Sequence, residues 1–298
     1  MNVQAYLNKR QQLIENSLDR YLSLSGFQPY PKNLHAAMRY CVFSGGKRFR
    51  PMLTLVVGEF FGAKPKSLLP FACALELIHT YSLIHDDLPA LDNDDLRRGQ
   101  PSAHKQFGEG IALLAGDALL TEAFSLMTRR QAVGQLEAGL VLDLIHEVAD
   151  AAGIRGMVGG QSIDLEAEGL DANIEAVERI HRRKTGALIL AAARVGARIA
   201  GAAPKDLKRI SRYAESLGLA FQITDDLLDV AAPGGEAHGA APCVREESKK
   251  TYPSVAGVAS ARARVAQLLK KCLKEVEPYG GEADLLRDIA RFVAERAV

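Results

Sequence analysis

The chain has 298 residues, 48% of them hydrophobic and 24% charged, so it can bury a sizeable core and reads as a soluble globular protein. Thirty-seven Lys and Arg against 36 Asp and Glu leave a formal net charge of +1, which argues against a nucleic-acid partner, because a phosphate backbone calls for a marked basic surplus. Cys41, Cys73, Cys243 and Cys272 form no CxxC pair and the N-terminus has no apolar run of signal-peptide length, so a reduced, cytoplasmic chain with no membrane span is expected.

In chain order, Val3, Tyr6, Leu7, Leu13, Ile14, Leu18, Tyr21 and Leu22 recur mostly at three- and four-residue steps, which predicts an amphipathic helix closed by the turn Ser25 to Pro31. A second helix is predicted over Leu34 to Phe43, stopped at Ser44-Gly45-Gly46, and a third over Met52 to Phe61 with Pro51 in its first turn. Leu69 to His85 is a long apolar helix that runs into an acidic stretch and is closed by Pro89. Further helices are predicted over Ile111 to Arg129, Leu136 to Ala152, Met157 to Glu168, Ile174 to Lys184, Gly186 to Ile199 and Leu207 to Val230. The stretch Gly186 to Pro204 carries Arg194 and Arg198, so it is a packed helix before it is a membrane span. Ala231 to Lys250, rich in Gly, Pro and mixed charge, reads as a mobile flap, and helices near Ser254 to Val276 and Ala283 to Ala297 finish the chain. No period-two stretch argues for a sheet, and neither a linker nor an internal repeat divides the sequence. The expectation is an all-α, single-domain helical bundle over residues 1–298.

Two acidic groups stand out. Asp86, Asp87, Asp92, Asp94 and Asp95 crowd the end of the apolar helix, and Asp225, Asp226 and Asp229 sit in a similar setting half a chain later. Like charges so close repel unless solvated or bridged by a cation. Asp225 and Asp229 are one helical turn apart and share a face, and Gln222 lies a turn earlier on the same side. The second group alone also fits a solvated acidic helix face, whereas a mostly apolar helix that ends in two aspartates is hard to explain by solvation alone. His79 lies two turns before Asp86, in an otherwise apolar environment, and could equally be a satisfied core histidine. Oxygen ligands without Cys/His spacing favour Mg²⁺, which binds through a few carboxylates, waters and substrate phosphates. The Gly-rich basic turn Gly45-Gly46-Lys47-Arg48-Phe49-Arg50-Pro51, which leads into a helix, suits an anion, as do Arg97-Arg98 and Lys184. Together these features point to diphosphate and Mg²⁺.

Those motifs, with Ile78 to Pro89, Asp95 to Gly99, Gly159-Gly160-Gln161, His181 to Gly186, Phe221 to Asp226 and Lys249 to Pro253, occur in an order that resembles the trans-isoprenyl diphosphate synthases, and among them the bacterial farnesyl diphosphate synthases. The likeness covers nearly the whole chain. It implies a helical bundle of the isoprenoid synthase type around a central cavity, a homodimer, and three Mg²⁺ per active site. It implies prenyl transfer in which an allylic diphosphate ionises and the double bond of isopentenyl diphosphate attacks the carbocation. By matching positions, Lys47, Arg50, His79 and Arg98 would bind isopentenyl diphosphate, and Arg97, Lys184, Gln222 and Lys249 the allylic diphosphate. Asp86, Asp87, Asp92, Asp225 and Asp229 would hold the metal, and Lys184, Thr185, Gln222 and Arg97 would serve catalysis. Tyr81 and Ser82, five and four positions before Asp86, would limit product length to fifteen carbons.

The likeness departs in the flap and at Ala294-Glu295-Arg296-Ala297-Val298, which lacks the dense basic ending of many relatives. Where the related enzymes carry Gly-Lys and then Asp in the flap, this chain has His238-Gly239 and Val244, so that His238, Arg245 or Lys249 would have to replace a lysine. Alternatives are a geranyl or geranylgeranyl diphosphate synthase, or a weakly catalytic subunit that binds prenyl diphosphates. A terpene cyclase would not need Lys47, Arg50 and His79, and a His-Asp phosphohydrolase built on His85-Asp86 lacks further histidines at suitable spacing.

Overall fold

A computed structural model of the chain describes residues 3–23, 31–167, 173–231 and 251–296. The expected flap, with His238, Gly239, Val244, Arg245 and Lys249, therefore lies outside the described residues save for its first position.

The first half is built from α1 (Val3–Tyr21), α2 (Lys32–Phe43), α3 (Phe49–Phe60) and α4 (Pro65–Asp86). Helix α3 begins inside the basic motif: Arg48 caps it in the left-handed conformation and Pro51 lies in its first turn. Helix α4 starts one turn before the expected Leu69, with Pro65 at its first position and Pro70 inside it. Leu68, Phe71, Leu75, Leu77 and Ile78 bury every side of it, because α3 and the later helices enclose it.

After α4 the chain forms β1 (Leu96–Arg97) and β2 (Gln100–Pro101), paired antiparallel. No strand was expected here, and the reason is length: two residues per strand are too few to make an alternation. The turn between them is legible afterwards, since Arg98 and Gly99 both have positive φ (56° and 76°), as a two-residue hairpin requires.

Then come α5 (Ala103–Phe107), α6 (Glu109–Thr128), α7 (Arg130–Val133), α8 (Ala138–Ala152), α9 (Met157–Glu166) and α10 (Ile174–His181). A π-helical turn over Arg182–Gly186 joins α10 to α11 (Ala187–Ile199). The chain ends with α12 (Pro204–Ala231), α13 (Tyr252–Ala256), α14 (Val258–Val276), a 3₁₀ segment and α15 (Asp284–Glu295). Among the described residues the fold is all-α apart from the hairpin. Helices α3, α4, α6, α11 and α12 share one hydrophobic core, in which Leu53, Phe71, Leu119, Leu188 and Leu217 have no exposed surface. The polar ends of α3, α4, α9, the π-turn and α12 meet above that core and enclose a cavity of about 1150 Å³.

Candidate active site

The cations on one wall owe their positions to backbone geometry. Gly45 and Gly46 have φ of 100° and 120°, which only glycine adopts readily, and a Cβ on Gly46 would lie 2.7 Å from the Arg98 guanidinium. Arg48 is not part of the anion site. Its guanidinium is buried, donating to Glu15 at 2.7 Å, to Glu76 at 2.9 Å and to the Val42 carbonyl at 2.5 Å. Three helices thus lock the turn that presents Lys47 on one side and Arg50 on the other. Arg48 and Arg98 are two of only three described non-glycine residues at positive φ, a strain that such anchoring can hold. Lys47, Arg50, His79 and Arg98 all line the cavity. Buried Arg50 keeps an Nε with no protein partner, which an anion in the cavity would satisfy. Burial first, then Arg50, Arg98, Arg48 and Arg97, push the His79 imidazole well below its ordinary 6.5, so it is neutral at pH 7.

Of the five expected metal ligands, Asp86 and Asp225 line this cavity, from the end of α4 and from α12. Asp87 faces away from it: buried, it accepts from Arg97 Nε at 2.8 Å, and Arg97 also pairs with Asp94 at 3.1 Å. Burial pushes the Asp87 carboxyl up to about 6 against the opposing effect of Arg97. Asp87 is thus the anchor of Arg97, which itself reaches the cavity. Asp92 is brought back beneath α4 by its N–H, which donates to the Asp86 carbonyl at 2.8 Å, and Asp229 is exposed at the far end of α12. Neither lines the cavity wall.

Asp225 already carries a cation. Arg296 donates to it at 2.5 Å and stacks 5.0 Å from the centre of the Phe221 ring. Burial raises the Asp225 carboxyl, opposed by Arg296 and Lys47. Asp86 and Asp225 on the walls of one cavity suit Mg²⁺ bound by one or two carboxylates, waters and diphosphate oxygens. No three His, Cys, Asp or Glu side chains converge on one point among the described residues, so most ligands of such an ion would come from substrate and water.

The third wall is the π-turn. Gly160 explains the Gly159-Gly160-Gln161 motif, since a Cβ there would lie 2.3 Å from the Lys184 backbone nitrogen, so α9 can approach the turn only without a side chain. Lys184 pairs with Asp164 of α9 at 2.7 Å. The Thr185 hydroxyl donates to Gln222 Oε1 at 2.7 Å, and Gln222 Nε2 donates to Asp226 at 3.1 Å. Asp226 also accepts from the Tyr252 backbone N–H at 2.8 Å and lies 3.4 Å from His181 Nε2. This relay fixes the Gln222 amide, so that the hydroxyl oxygen of Thr185 faces the cavity.

The apolar side runs down α4. Tyr81 and Ser82 both line it, and the Ser82 hydroxyl donates back to the His79 carbonyl at 2.9 Å. Tyr81 is buried, its phenol pushed up to about 12, hence un-ionised. Phe49 and Phe221, whose rings are 4.9 Å apart, cover the cavity beside Gln222.

Sequence reasoning missed Arg296, Asp164 and Asp226. Only Asp226 carried a signal, being the member of the Asp225-Asp226 pair that cannot share the face of Asp225 and Asp229.

The polyprenyl synthetase family matches residues 31–285. A farnesyl diphosphate synthase of Geobacillus stearothermophilus is 42% identical over 299 residues, spanning 99% of this chain and 98% of its own. A geranylgeranyl diphosphate synthase of Cyanophora paradoxa is 40% identical over 296 residues, spanning 99% and 97%. In structure, the chain is similar to an FPP/GFPP synthase of Zymomonas mobilis, with a TM-score of 0.87 at 35% identity over 98% of this chain and 99% of that one.

Proposed function

The chain belongs to the polyprenyl synthetase family and is a short-chain trans-prenyl diphosphate synthase, and within that activity we propose that it adds isopentenyl diphosphate head to tail to dimethylallyl and then geranyl diphosphate, ending at farnesyl diphosphate. Near-equal identity to relatives named for different products leaves the length to be argued from the cavity. The observation that carries the reading is that one cavity has Lys47, Arg50, His79 and Arg98 on one wall, Asp86 and Asp225 on others, and bulky Tyr81 at its apolar side.

In this reading Lys47, Arg50 and Arg98 hold the diphosphate of isopentenyl diphosphate, with neutral His79 donating one hydrogen bond. Arg97, fixed by Asp87 and Asp94, and Lys184, fixed by Asp164, hold the allylic diphosphate, together with Gln222. Lys249 is proposed for the same group by its motif position alone. Asp86 and Asp225, with Asp92 and Asp229 of the same two groups, would hold Mg²⁺. When bound, Mg²⁺ supplies positive charge opposite the departing diphosphate oxygen.

The allylic C1–O bond breaks and its electron pair leaves with diphosphate. The double bond of isopentenyl diphosphate then closes on C1, and a proton passes from the carbon adjacent to the new cationic centre to an oxygen of the released diphosphate, leaving the new double bond. Thr185 and Gln222 turn oxygen dipoles toward the transient cation, held in place by Asp226 so that they need not reorganise during the reaction. Leu83, Met157, Leu165, Phe49 and Phe221 keep out the water that would trap it as an alcohol.

A homodimer is proposed on the same basis, supported by exposed Leu113 and Leu114 of α6 and Leu142 of α8. A cytoplasmic site of action accords with the free thiols of Cys41, Cys73 and Cys272.

The test is turnover of the purified chain with Mg²⁺, isopentenyl diphosphate and either dimethylallyl or geranyl diphosphate, followed by separation of the dephosphorylated products. A ladder ending at the C15 alcohol is expected. An end at C10 or C20 overturns the length, and a cyclic hydrocarbon or no chain growth overturns the condensation.

A further inference from the structure

The floor beneath the growing chain is not Tyr81 alone. We infer that Gly116 on α6, by seating the ring of His85, sets the depth of the cavity and is a determinant of product length in the reaction proposed above, on which this inference rests.

Two helices pass each other closely here. An ideal Cβ on Gly116 would lie 2.1 Å from His85 Nε2, 2.4 Å from Cδ2 and 3.0 Å from Cε1, so the imidazole rests on bare backbone of α6. His85 Nε2 is 3.0 Å from the Leu113 carbonyl, one turn earlier on α6. A carbonyl only accepts, so Nε2 carries the proton and the ring is oriented by that bond. Asp117, largely exposed, lies 3.9 Å from the same nitrogen. On the cavity side the ring meets Tyr81, one turn back on α4, edge to face, with centroids 5.6 Å apart at 79°. Both His85 and Tyr81 line the cavity. Gly116, His85 and Tyr81 thus form a stack running from the backbone of α6 to the surface a prenyl tail would touch.

A methyl group at position 116 cannot share that space. Ordinary contact needs about 3.5 Å, so from 2.1 Å the ring must retreat by about 1.4 Å. The backbone of α6 blocks one direction, and Tyr81 and the cavity occupy the other. The floor therefore moves inward, and the last isoprene unit meets an overpacked wall. Removing the His85 ring does the reverse, leaving Tyr81 without backing and opening the gap between α4 and α6.

Product ratios test this, because the C10:C15 ratio is a property of each active molecule, however many fold. Wild type, Gly116→Ala and His85→Ala are run with dimethylallyl and isopentenyl diphosphate under matched turnover, with circular dichroism to confirm folding. Gly116→Ala is expected to raise the C10:C15 ratio roughly tenfold, and His85→Ala to yield C20 that wild type lacks. Unchanged distributions in both variants, a longer product from Gly116→Ala, or a folded Gly116→Ala that makes no C10 overturn the inference. If Gly116→Ala does not fold, His85→Ala decides alone, with an unchanged product overturning it. A wild type that makes no prenyl chain overturns instead the proposed function beneath it.

Discussion

Arg296 donates to Asp225 at 2.5 Å, which ties the last turn of the described chain to the second acidic group. The guanidinium is 12% exposed and the carboxylate 33%, and the pair closes over the Phe221 ring. A cation thus stands at the carboxylate where Mg²⁺ is proposed to bind, and the two compete for it.

Substituting Arg296→Gln should therefore tighten metal binding in the absence of substrate. The pair is partly solvated, so the gain is modest: a roughly two- to fivefold lower dissociation constant, in line with what such pairs contribute. Titration with Mn²⁺ followed by electron paramagnetic resonance reads this directly, without turnover. Unchanged affinity would show that Arg296 and the metal do not share Asp225.

Arg48 gives a stability prediction. Its side chain is 1% exposed and that of its partner Glu76 is 3% exposed, so Arg48→Ala strands a buried carboxylate. Loss of one partner from such a pair costs about 3–5 kcal/mol. Urea denaturation should show that loss, and the double variant Arg48→Met/Glu76→Leu should regain most of it, since both charges are then gone. A double variant no better than Arg48→Ala would mean that the anchoring to Glu15 and Val42, and not the charge pair, carries the effect.

Tyr81 backs onto His85 and fronts the cavity, so Tyr81→Ala removes a buried ring from the apolar side. The expected outcome is product of C20 or longer, with C15 reduced, measured by chromatography of dephosphorylated products. An unaltered C15 end point would count against Tyr81 as the floor.

The contrast between Asp86 and Asp87 shows what was legible in the sequence and what was not. Helix periodicity placed α1 to α4, α6, α8 to α12, α14 and α15 within a few residues, because amphipathic spacing and Pro and Gly punctuation are local signals, whereas α5, α7 and α13, of five residues or fewer, are too short to show a period. Spacing also put His79 and Asp86 on one face, and both line the cavity. Yet adjacent aspartates point about 100° apart on a helix, and which of them meets an arginine depends on where the hairpin returns Arg97. That return is set by positive φ at Arg98 and Gly99 and by two residues of pairing per strand, which leaves almost no pattern. Arg296 and Asp164 were hidden for a related reason. Each acts through a partner distant in sequence, and a single charged residue on an amphipathic helix looks the same whether it faces water or a partner.

His79 yields a pH dependence whose sign follows from its surroundings. The native imidazole is held well below 6.5, by burial first and by the guanidinium groups of Arg50, Arg98, Arg48 and Arg97 after that. Above pH 6.5 it is neutral in native and unfolded chains alike, and it makes no difference to stability. As the pH falls below 6.5 the unfolded chain binds a proton at this position and the native chain does not, so stability is lost with decreasing pH, by up to about 1.4 kcal/mol per pH unit. Asp87, raised to about 6, acts in the opposite sense, since its native carboxyl takes up a proton that the unfolded chain still lacks. Comparing wild type with His79→Gln cancels the Asp87 contribution. Urea midpoints between pH 7.5 and 5.5 should fall less steeply for His79→Gln, and saturating inorganic diphosphate should flatten the wild-type curve, because an anion beside the ring offsets the arginines. Equal slopes for the two proteins would mean that His79 takes up its proton in the native state as readily as in the unfolded one.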